Sequence, residues 1–176
     1  LIAPRKPEWF DAVMTHAPHA VRRTACGDAH PAALPSEPNP TGPPRVFLLD
    51  TLGELRAAYR LATVCVVGRS FTGKLHGSDM MEPVALGKPT LIGPHHSDFA
   101  DTMAALFDAQ GIVVSDNPKA AIQTFLDNPA FAQKVAQAGQ HVVQSRRGAT
   151  ARYAALLRDL LEKQEGAEGL KAQVPK

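Results

Sequence analysis

Residues 64–95, VCVVGRSFTGKLHGSDMMEPVALGKPTLIGPH, decide the fold, because they place two apolar strands around a glycine-broken loop and a short helix. The run Val64–Val67 is continuously apolar and ends at Gly68, which predicts a strand covered on both faces, as in a parallel sheet. The loop 68–77 holds three glycines, and a helix is predicted to begin near Asp79. A strand, a glycine loop and a helix N-terminus in succession favour anion binding, since free backbone N–H groups and the positive end of the helix dipole face one point.

Glu82 stands in the first turn of this predicted helix, and two interpretations of it are open. As a binding residue, its carboxylate accepts hydrogen bonds from both hydroxyls of a ribose, as the acidic residue of dinucleotide folds does. As a structural residue, it completes a capping box, Asp79-x-x-Glu82, and bonds back to the backbone at the helix start. These residues alone do not favour either interpretation.

The rest of the chain alternates short apolar runs with helical patterns. Thr51-x-x-Glu54 predicts a capping box that opens a helix to about Ala62. Asn-Pro pairs at 117–118 and 128–129 each predict a helix start, with asparagine as the cap and proline in the first turn. Strands are predicted at 1–3, 21–25, 46–49, 64–67, 90–92 and 112–114, and helices at about 8–16, 51–62, 80–87 and 98–109.

The last predicted helix is broken near Gly148 and carries an apolar face. Together the elements predict an α/β fold with an open, doubly wound parallel sheet, whose ligand would lie at the carboxyl ends of the strands. The apolar face consists of Phe131, Val135, Val142, Tyr153, Leu156, Leu157, Leu160 and Leu161.

A length of 176 residues predicts one domain, over residues 1–165, followed by a polar tail at 166–176. The segment 27–44 holds six prolines and is predicted to be a loop or insertion. The chain begins at Leu1, without methionine and inside a predicted strand, so we expect a fragment or a processed product.

The charge balance, the cysteines and the apolar runs argue against a nucleic-acid-binding, a disulfide-bonded and a membrane-spanning protein. With 19 basic and 17 acidic residues, the net charge of +2 does not predict a nucleic-acid partner. Cys26 and Cys65 form no CxxC pair, which predicts reduced thiols and a cytosolic chain. No apolar run approaches the roughly 18 residues of a membrane span.

Two further motifs indicate other possible sites, and neither is complete. Residues 68–74, GRSFTGK, fit the phosphate-loop pattern of an ATPase or GTPase, but Leu75 stands where a magnesium-binding hydroxyl belongs and His76-Gly77 interrupt the following helix. The adjacent pair His95-His96 has no ligand partner at metal-binding spacing, so we interpret both as loop histidines and expect no metal.

Four motifs stand in the order and spacing of one glycosyltransferase family. They are 1–10 (LIAPRKPEWF), 49–59 (LDTLGELRAAY), 66–71 (VVGRSF) and 81–95 (MEPVALGKPTLIGPH). Over about residues 1–160 the chain resembles the C-terminal half of 3-deoxy-D-manno-octulosonic acid (Kdo) transferase. The resemblance implies the Rossmann-like, donor-binding lobe of a two-lobed GT-B enzyme.

The resemblance also implies a reaction and its partners. Such an enzyme transfers Kdo from CMP-Kdo to a lipid A precursor, with inversion and without a bound metal or other cofactor, at the cytoplasmic face of the inner membrane. Its catalytic carboxylate lies in the N-terminal lobe, which also docks the acceptor. We therefore expect no catalytic residue here, and we expect this chain to be inactive without that lobe. The alternatives are a GT-B relative with another nucleotide sugar, an epimerase, or a non-catalytic nucleotide-binding module.

The site residues that the resemblance implies fall on three segments. Arg5 would contact the phosphate or the base, the N–H groups of Gly53 and Glu54 would hold the phosphate, and Glu82 would hold the ribose. The implied nucleotide-binding positions are Pro4, Arg5, Leu52, Gly53, Glu54, Asp79, Met80, Met81 and Glu82, with support for the phosphate loop from Ser70, Lys74 and Ser78.

The chain departs from the family pattern at this site. Ser78-Asp79 replaces a His-Asn pair, Lys6 replaces a histidine, and Arg69 replaces a second glycine. The carboxylate of Asp79 would repel a phosphate unless it caps the helix or pairs with Lys74 or Arg69.

Overall fold

The computed structural model describes residues 1–27, 45–148 and 151–161. They belong to two compact units, Leu1–Thr63 and Val64–Lys176. Residues 28–44 of the proline-rich segment and the whole tail 166–176 lie outside the described residues. The predicted bounds of a single lobe at 1–165 therefore stay a prediction.

The first unit contains a small parallel sheet. Strand β1 (Val21–Arg22) pairs in parallel with β2 (Phe47–Leu48), and Ile2 forms a parallel bridge to Leu48. Leu48, which pairs with Arg22 of β1 and bridges to Ile2, is fully buried. The unit also has 3-10 turns at Pro7–Trp9 and Thr24–Cys26 and two α-helices, α1 (Phe10–His16) and α2 (Leu55–Leu61).

The capping box predicted at Thr51-x-x-Glu54 is wrong. Helix α2 begins only at Leu55, and its N-cap residue Glu54 makes no side-chain capping bond. Instead, the Thr51 hydroxyl donates a hydrogen bond to the Glu54 carboxylate itself. The two side chains thus bond to each other, and neither bonds the helix backbone.

The second unit is built on three parallel strands in the order β3-β4-β5, namely Cys65–Val67, Thr90–Ile92 and Val113–Val114. Helix α3 (Met81–Ala85) connects β3 to β4, and a 3-10 turn (Ser97–Phe99) with α4 (Ala100–Asp108) connects β4 to β5. Helices α5 (Pro118–Asp127) and α6 (Pro129–Ser145) follow. This alternation around parallel strands confirms the predicted α/β fold class.

The central strand β4 is covered on both faces. Leu91 packs in a cluster with Phe125 and Val135, whereas Ile92 packs in another with Met80 and Leu106, and both strand residues are fully buried. The strand at Val64–Val67 was also predicted to be covered on both faces. That prediction is wrong for β3, because Val66 is 44% exposed. In the described sheet β3 has a neighbour on one side only, so it is an edge strand.

Helices α5 and α6 begin where the Asn-Pro pairs predict. The side chain of Asn117 accepts from the Ala120 N–H at 3.1 Å, and that of Asn128 accepts from the Phe131 N–H at 3.0 Å. Each bond satisfies one of the backbone donors that a helix start leaves without a partner. Pro118 and Pro129 are the first residues of the two helices.

The predicted break near Gly148 is present, but the apolar face beyond it is not part of the core. Helix α6 ends at Ser145, Gly148 has a φ of 89°, and residues 151–161 are helical again. The large apolar side chains of that stretch are 52–67% exposed. They belong to Tyr153, Leu156, Leu157, Leu160 and Leu161.

Both cysteines are free thiols, as predicted. Burial raises the pKa of the Cys65 thiol to about 11, so this thiol stays protonated at neutral pH. Within the described residues, no helix combines the length and apolar character that a bilayer crossing requires.

Candidate functional site

The glycine loop after β3 is fastened to the end of β4 by a buried serine. The Ser70 hydroxyl donates to the Val67 carbonyl at 2.9 Å and accepts from the Gly93 N–H at 2.8 Å. The His95 N–H donates to the Ser70 carbonyl at 2.9 Å. A Cβ on Gly93 would lie 2.4 Å from the Ser70 carbonyl oxygen, so only glycine permits this approach. Ser70, predicted to support a phosphate, uses its hydroxyl to hold the loop in place.

Two residues other than glycine adopt left-handed backbone conformations in this loop. Arg69 has a φ of 63° and His76 a φ of 53°. Such conformations cost about 1–3 kcal/mol each and persist only where the surroundings hold them. Glycine would adopt the φ of residue 69 without this strain. The Nε atom of Arg69 is buried. Among the side chains of the described residues, it is the one buried nitrogen or oxygen atom that has no hydrogen-bond partner.

The loop does not have the geometry of a nucleotide triphosphatase phosphate loop. In such a loop the lysine stands at the start of a helix, whose N-terminus faces the phosphates. Here Lys74 and Leu75 lie in turns, residues 76–80 are irregular, and the next helix begins at Met81. The interruption predicted at His76-Gly77 is confirmed, which disfavours an ATPase or GTPase.

The capping box predicted at Asp79-x-x-Glu82 is wrong in its cap, because the N-cap residue of α3 is Met80, which makes no side-chain capping bond. Asp79 stands one residue earlier, and its carboxylate accepts a hydrogen bond from the Met81 N–H at 2.8 Å. Glu82 is the second helical residue and is half-buried. The Met80 side chain is fully buried in the core, so only the backbone of Met80 can face a ligand. One oxygen of the Asp79 carboxylate is thus occupied by a backbone N–H at the helix start.

In the first unit, Glu54 is neutralised by its neighbours. The Nε and Nη2 atoms of Arg23 donate to one Glu54 oxygen at 3.2 and 3.1 Å, and the Thr51 hydroxyl donates to the other. The Thr51 bond is the largest cause that holds the pKa of Glu54 below its usual value; burial opposes it, and the Arg23 bond and charge add to the lowering. The predicted role of Glu54 in phosphate binding therefore rests on its backbone N–H.

The other predicted positions of the first unit are at least partly exposed. Leu52 is 78% exposed, and Gly53 has a φ of 87° with open space where a Cβ would stand. Arg5 is exposed and Pro4 half-buried, directly after the bridged residue Ile2.

Asp50, which closes β2, forms a network that the sequence interpretation missed. Its carboxylate accepts from the Thr24 N–H at 2.9 Å and the Thr24 hydroxyl at 2.6 Å, and Arg22 lies 3.7 Å away. The side chain is 3% exposed. Burial raises the pKa of Asp50, but the Thr24 bonds, its own backbone N–H and the Arg22 charge outweigh that effect and lower it. The available signal was an acidic residue at the carboxyl end of a buried strand.

A pocket of about 620 Å³ opens beside the glycine loop. Its lining includes His76, His95, His96 and Ser97, together with residues of α4 such as Phe107. No cluster of three or more metal-ligating side chains with suitable geometry is found in the described parts of the chain. The histidines at 95 and 96, predicted to be ordinary loop residues, thus line a cavity. The signal for this was their position directly after the carboxyl end of β4.

No protein-family model matches the chain. A 3-deoxy-D-manno-octulosonic acid transferase of Bordetella pertussis is 30% identical over 164 residues, and one of Haemophilus influenzae is 28% identical over 171 residues. These matches cover 92% and 93% of this chain, which spans 37% of the length of each relative.

Among solved structures, the C-terminal CMP-Kdo binding domain of WaaA from Acinetobacter baumannii is similar, with a TM-score of 0.65 and 25% identity. The match covers 80% of this chain and 71% of that domain. The chain is therefore similar in sequence to 3-deoxy-D-manno-octulosonic acid transferases and in fold to a C-terminal CMP-Kdo binding domain, which confirms the resemblance seen in its motifs.

Proposed function

We propose that this chain is the donor-binding part of a glycosyltransferase that transfers Kdo from CMP-Kdo to a lipid A precursor in lipopolysaccharide biosynthesis. The observation that carries the proposal is the likeness to the C-terminal CMP-Kdo binding domain of WaaA over 80% of this chain. The sequence matches to the two transferases cover 92% and 93% of this chain.

In the second unit, the proposed contacts centre on the start of α3. Glu82 holds the ribose hydroxyls, because a carboxylate accepts two hydrogen bonds and a residue in the first helical turn presents it at the helix end. Asp79 keeps its carboxylate on the Met81 N–H, 2.8 Å away, and so orients the turn that carries Glu82. The loop held by Ser70 provides a rigid base for this turn, and Lys74 and Ser78 remain proposed phosphate supports.

In the first unit, the proposed phosphate contacts are Arg5 and the backbone N–H groups of Gly53 and Glu54. The two Arg23 bonds and the Thr51 bond offset the negative charge of Glu54, which would otherwise oppose a phosphate. The exposed side chain of Leu52 offers an apolar surface to the cytosine ring.

The chemistry assigned to this part of the enzyme is positioning and charge stabilisation. In an inverting transfer, a base removes the proton of the acceptor hydroxyl, the oxygen attacks the anomeric carbon, and CMP leaves with its phosphate charge. Preorganised N–H donors and a cation at that phosphate lower the barrier. The base, the lipid A precursor site and attachment to the cytoplasmic face of the inner membrane are proposed for the rest of the enzyme, and no metal is required.

A GT-B enzyme with a different nucleotide sugar is the second candidate. The observation that favours it is the Ser78-Asp79 pair in place of the family's His-Asn, with the Asp79 carboxylate committed to the helix start. This change affects the residues just before α3 and leaves Glu82, the proposed ribose contact, unchanged.

Isothermal titration calorimetry with CMP, UMP, UDP, GDP and ATP, with and without magnesium, separates the candidates. The proposal predicts that CMP binds best and that EDTA does not weaken its binding. Preference for a uridine or guanosine nucleotide would support the second candidate. ATP binding that requires magnesium would contradict both.

Replacement of Glu82 tests the ribose contact. We expect Glu82→Ala to weaken CMP binding by about 1–3 kcal/mol, the value of hydrogen bonds to a charged group. Glu8→Ala, at an exposed glutamate in the first unit, is the matched control and should leave the affinity unchanged. An unchanged affinity in Glu82→Ala together with a lower melting temperature would show that Glu82 is only a helix-start residue.

A further inference from the structure

The helix of residues 151–161 has an apolar face that belongs to neither core cluster. The large apolar side chains of this face stand at positions i, i+3, i+4, i+7 and i+8 and are 52–67% exposed. Among the described residues, the two hydrophobic clusters of the second unit include no residue after Val143. Contiguous exposed apolar side chains mark a contact surface, whereas single ones do not. The face consists of Tyr153, Leu156, Leu157, Leu160 and Leu161.

The segment around this face carries an excess of positive charge. Residues 146–161 contain four arginines and a single carboxylate, that of Asp159. Their excess of three positive charges is larger than the net charge of +2 of the whole chain. The four arginines are exposed, namely Arg146, Arg147, Arg152 and Arg158.

Arginines lie on both sides of the apolar face. The Arg152 N–H donates to the Gly148 carbonyl at 3.0 Å, and its Nη1 donates to the Arg147 carbonyl at 3.2 Å, so Arg152 is held where the helix begins. At 100° per residue, Arg152 stands about 110° to one side of the centre of the face and Arg158 about 130° to the other side. The apolar face is therefore flanked by cations.

The positive charge favours one kind of partner for this face. A second copy of the chain would bring an equal excess of positive charge against the first, and like charges across an interface are unfavourable. Anionic lipid headgroups carry the opposite charge and have an apolar layer directly beneath them. An apolar face with arginines beside it is the pattern of a helix that lies in the interface plane of a membrane. The helix 151–161 extends only about 16 Å, whereas the hydrocarbon core of a bilayer is about 30 Å thick, so it would lie on the membrane and not cross it.

We propose that the helix 151–161 binds the surface of an anionic lipid bilayer. Its leucines enter the boundary between headgroups and acyl chains, and its arginines donate hydrogen bonds to lipid phosphate groups. Tyr153 stands on the same face as the leucines, and an aromatic ring with a polar hydroxyl suits the headgroup level. This contact is independent of the proposed function, since no nucleotide takes part in it.

Co-sedimentation of the whole chain with lipid vesicles tests the proposal. We expect binding to mixed vesicles of phosphatidylglycerol and phosphatidylcholine to be at least about tenfold tighter than binding to phosphatidylcholine alone, because each arginine near an anionic surface adds to the affinity. High salt should weaken the binding, since it screens charges at a surface. Failure to bind the anionic vesicles, or equal binding to both kinds, would overturn the proposal.

A pair of substitutions tests the apolar contribution. Leu157→Glu combined with Leu160→Glu places carboxylates on the face, and we expect it to lower vesicle affinity at least about tenfold. The matched control is Leu61→Glu combined with Leu126→Glu, at exposed leucines of α2 and α5, which should keep the affinity of the parent chain. Equal losses in the two double variants would contradict a role for this face.

A second pair tests the charge. Arg152→Gln combined with Arg158→Gln should lower the affinity for anionic vesicles by about tenfold and leave the affinity for phosphatidylcholine vesicles unchanged. Lys119→Gln combined with Lys134→Gln removes the same charge at exposed positions of α5 and α6 and should have little effect. The same loss in both double variants would show that the net charge of the chain, and not this helix, attracts the lipid.

Hydrogen exchange tests the contact in the parent chain, without any substitution. Anionic vesicles should slow amide exchange in residues 151–161 and leave α2 and α5 unchanged. Exchange in 151–161 that does not change with vesicles would overturn the proposal. Light scattering adds a further outcome: a dimer that is lost in the Leu157→Glu, Leu160→Glu variant, in a chain that binds no vesicles, would assign the face to a second copy instead.

Calorimetry with CMP separates this proposal from the proposed function. CMP binding in a chain that does not bind anionic vesicles would overturn the membrane contact and leave the proposed function in place. Vesicle binding through residues 151–161 in a chain that binds no nucleotide would do the reverse.

Discussion

The two units fix the loops at their strand ends by different means. In the first, the residues after β2 are held by charge: Asp50 is bonded to Thr24 and faces Arg22, and Glu54 is bonded to Arg23. In the second, the loop after β3 is held by neutral contacts, with Ser70 bonded to Gly93 above an apolar core. The residues that follow parallel strands can therefore be held in place either by ion pairs, whose strength depends on pH, or by close packing, whose strength does not depend on pH.

Loss of core packing around the central strand of the second unit should have the largest effect. Leu91→Ala removes a fully buried side chain from the central strand, and we expect it to lower the free energy of unfolding by about 2–5 kcal/mol. Urea denaturation followed by circular dichroism measures the loss. The matched change Leu52→Ala, at a leucine of the first unit that is 78% exposed, should stay within about 0.5 kcal/mol of the parent. Equal losses at the two leucines would contradict the burial of Leu91 in the core of the second unit.

The close approach at Gly93 should come next. In Gly93→Ala the new Cβ would lie 2.4 Å from the Ser70 carbonyl oxygen, so the loop or the strand must shift, at a cost of about 1–3 kcal/mol. Gly68→Ala is the control, because no atom lies within 4 Å of a Cβ built there. Thermal melting of both variants gives the comparison. Equal melting temperatures would show that contact with Ser70 does not hold the loop.

In the first unit, the corresponding change is Asp50→Ala. It leaves the Thr24 N–H without its buried acceptor, and we expect a loss of about 1–3 kcal/mol at pH 7. Asp116→Ala, at an exposed aspartate of the second unit, serves as the control and should have little effect. A stability equal to that of the parent would mean that the Asp50 network is not required.

The smallest effect, and the one that sharpens the comparison most, is a dependence on pH. The pKa of Asp50 is lowered below its ordinary 3.8, so its contribution is fully present above that value and is lost as the pH falls through the folded-state pKa. The stability difference between the parent chain and Asp50→Asn should therefore shrink between pH 7 and pH 3. Denaturation curves across this range measure it, and a constant difference would contradict the role of charge.

Local sequence signals predicted the second unit best. The strand Thr90–Ile92 was predicted with its observed bounds, because a continuous apolar run between a proline and a glycine has few alternative structures. The two Asn-Pro pairs predicted the starts of α5 and α6, since a cap and a proline act within one turn.

Contacts between distant residues account for what the sequence did not predict. Thr51 and Glu54 have the spacing of a capping box, but Arg23, 31 residues before Glu54, draws the carboxylate away from the helix. Ser70 has the position of a phosphate-binding hydroxyl, but Gly93, 23 residues later, takes it as an acceptor. His76 meets Ser97 across 21 residues, so the pocket has no local motif.

A crystal structure of this chain with CMP would show whether Glu82 binds the ribose. We expect the two ribose hydroxyls to lie within hydrogen-bond distance of the Glu82 carboxylate, while the Asp79 carboxylate stays on the Met81 N–H. A CMP molecule bound away from the start of α3, with Glu82 turned to the backbone, would contradict it.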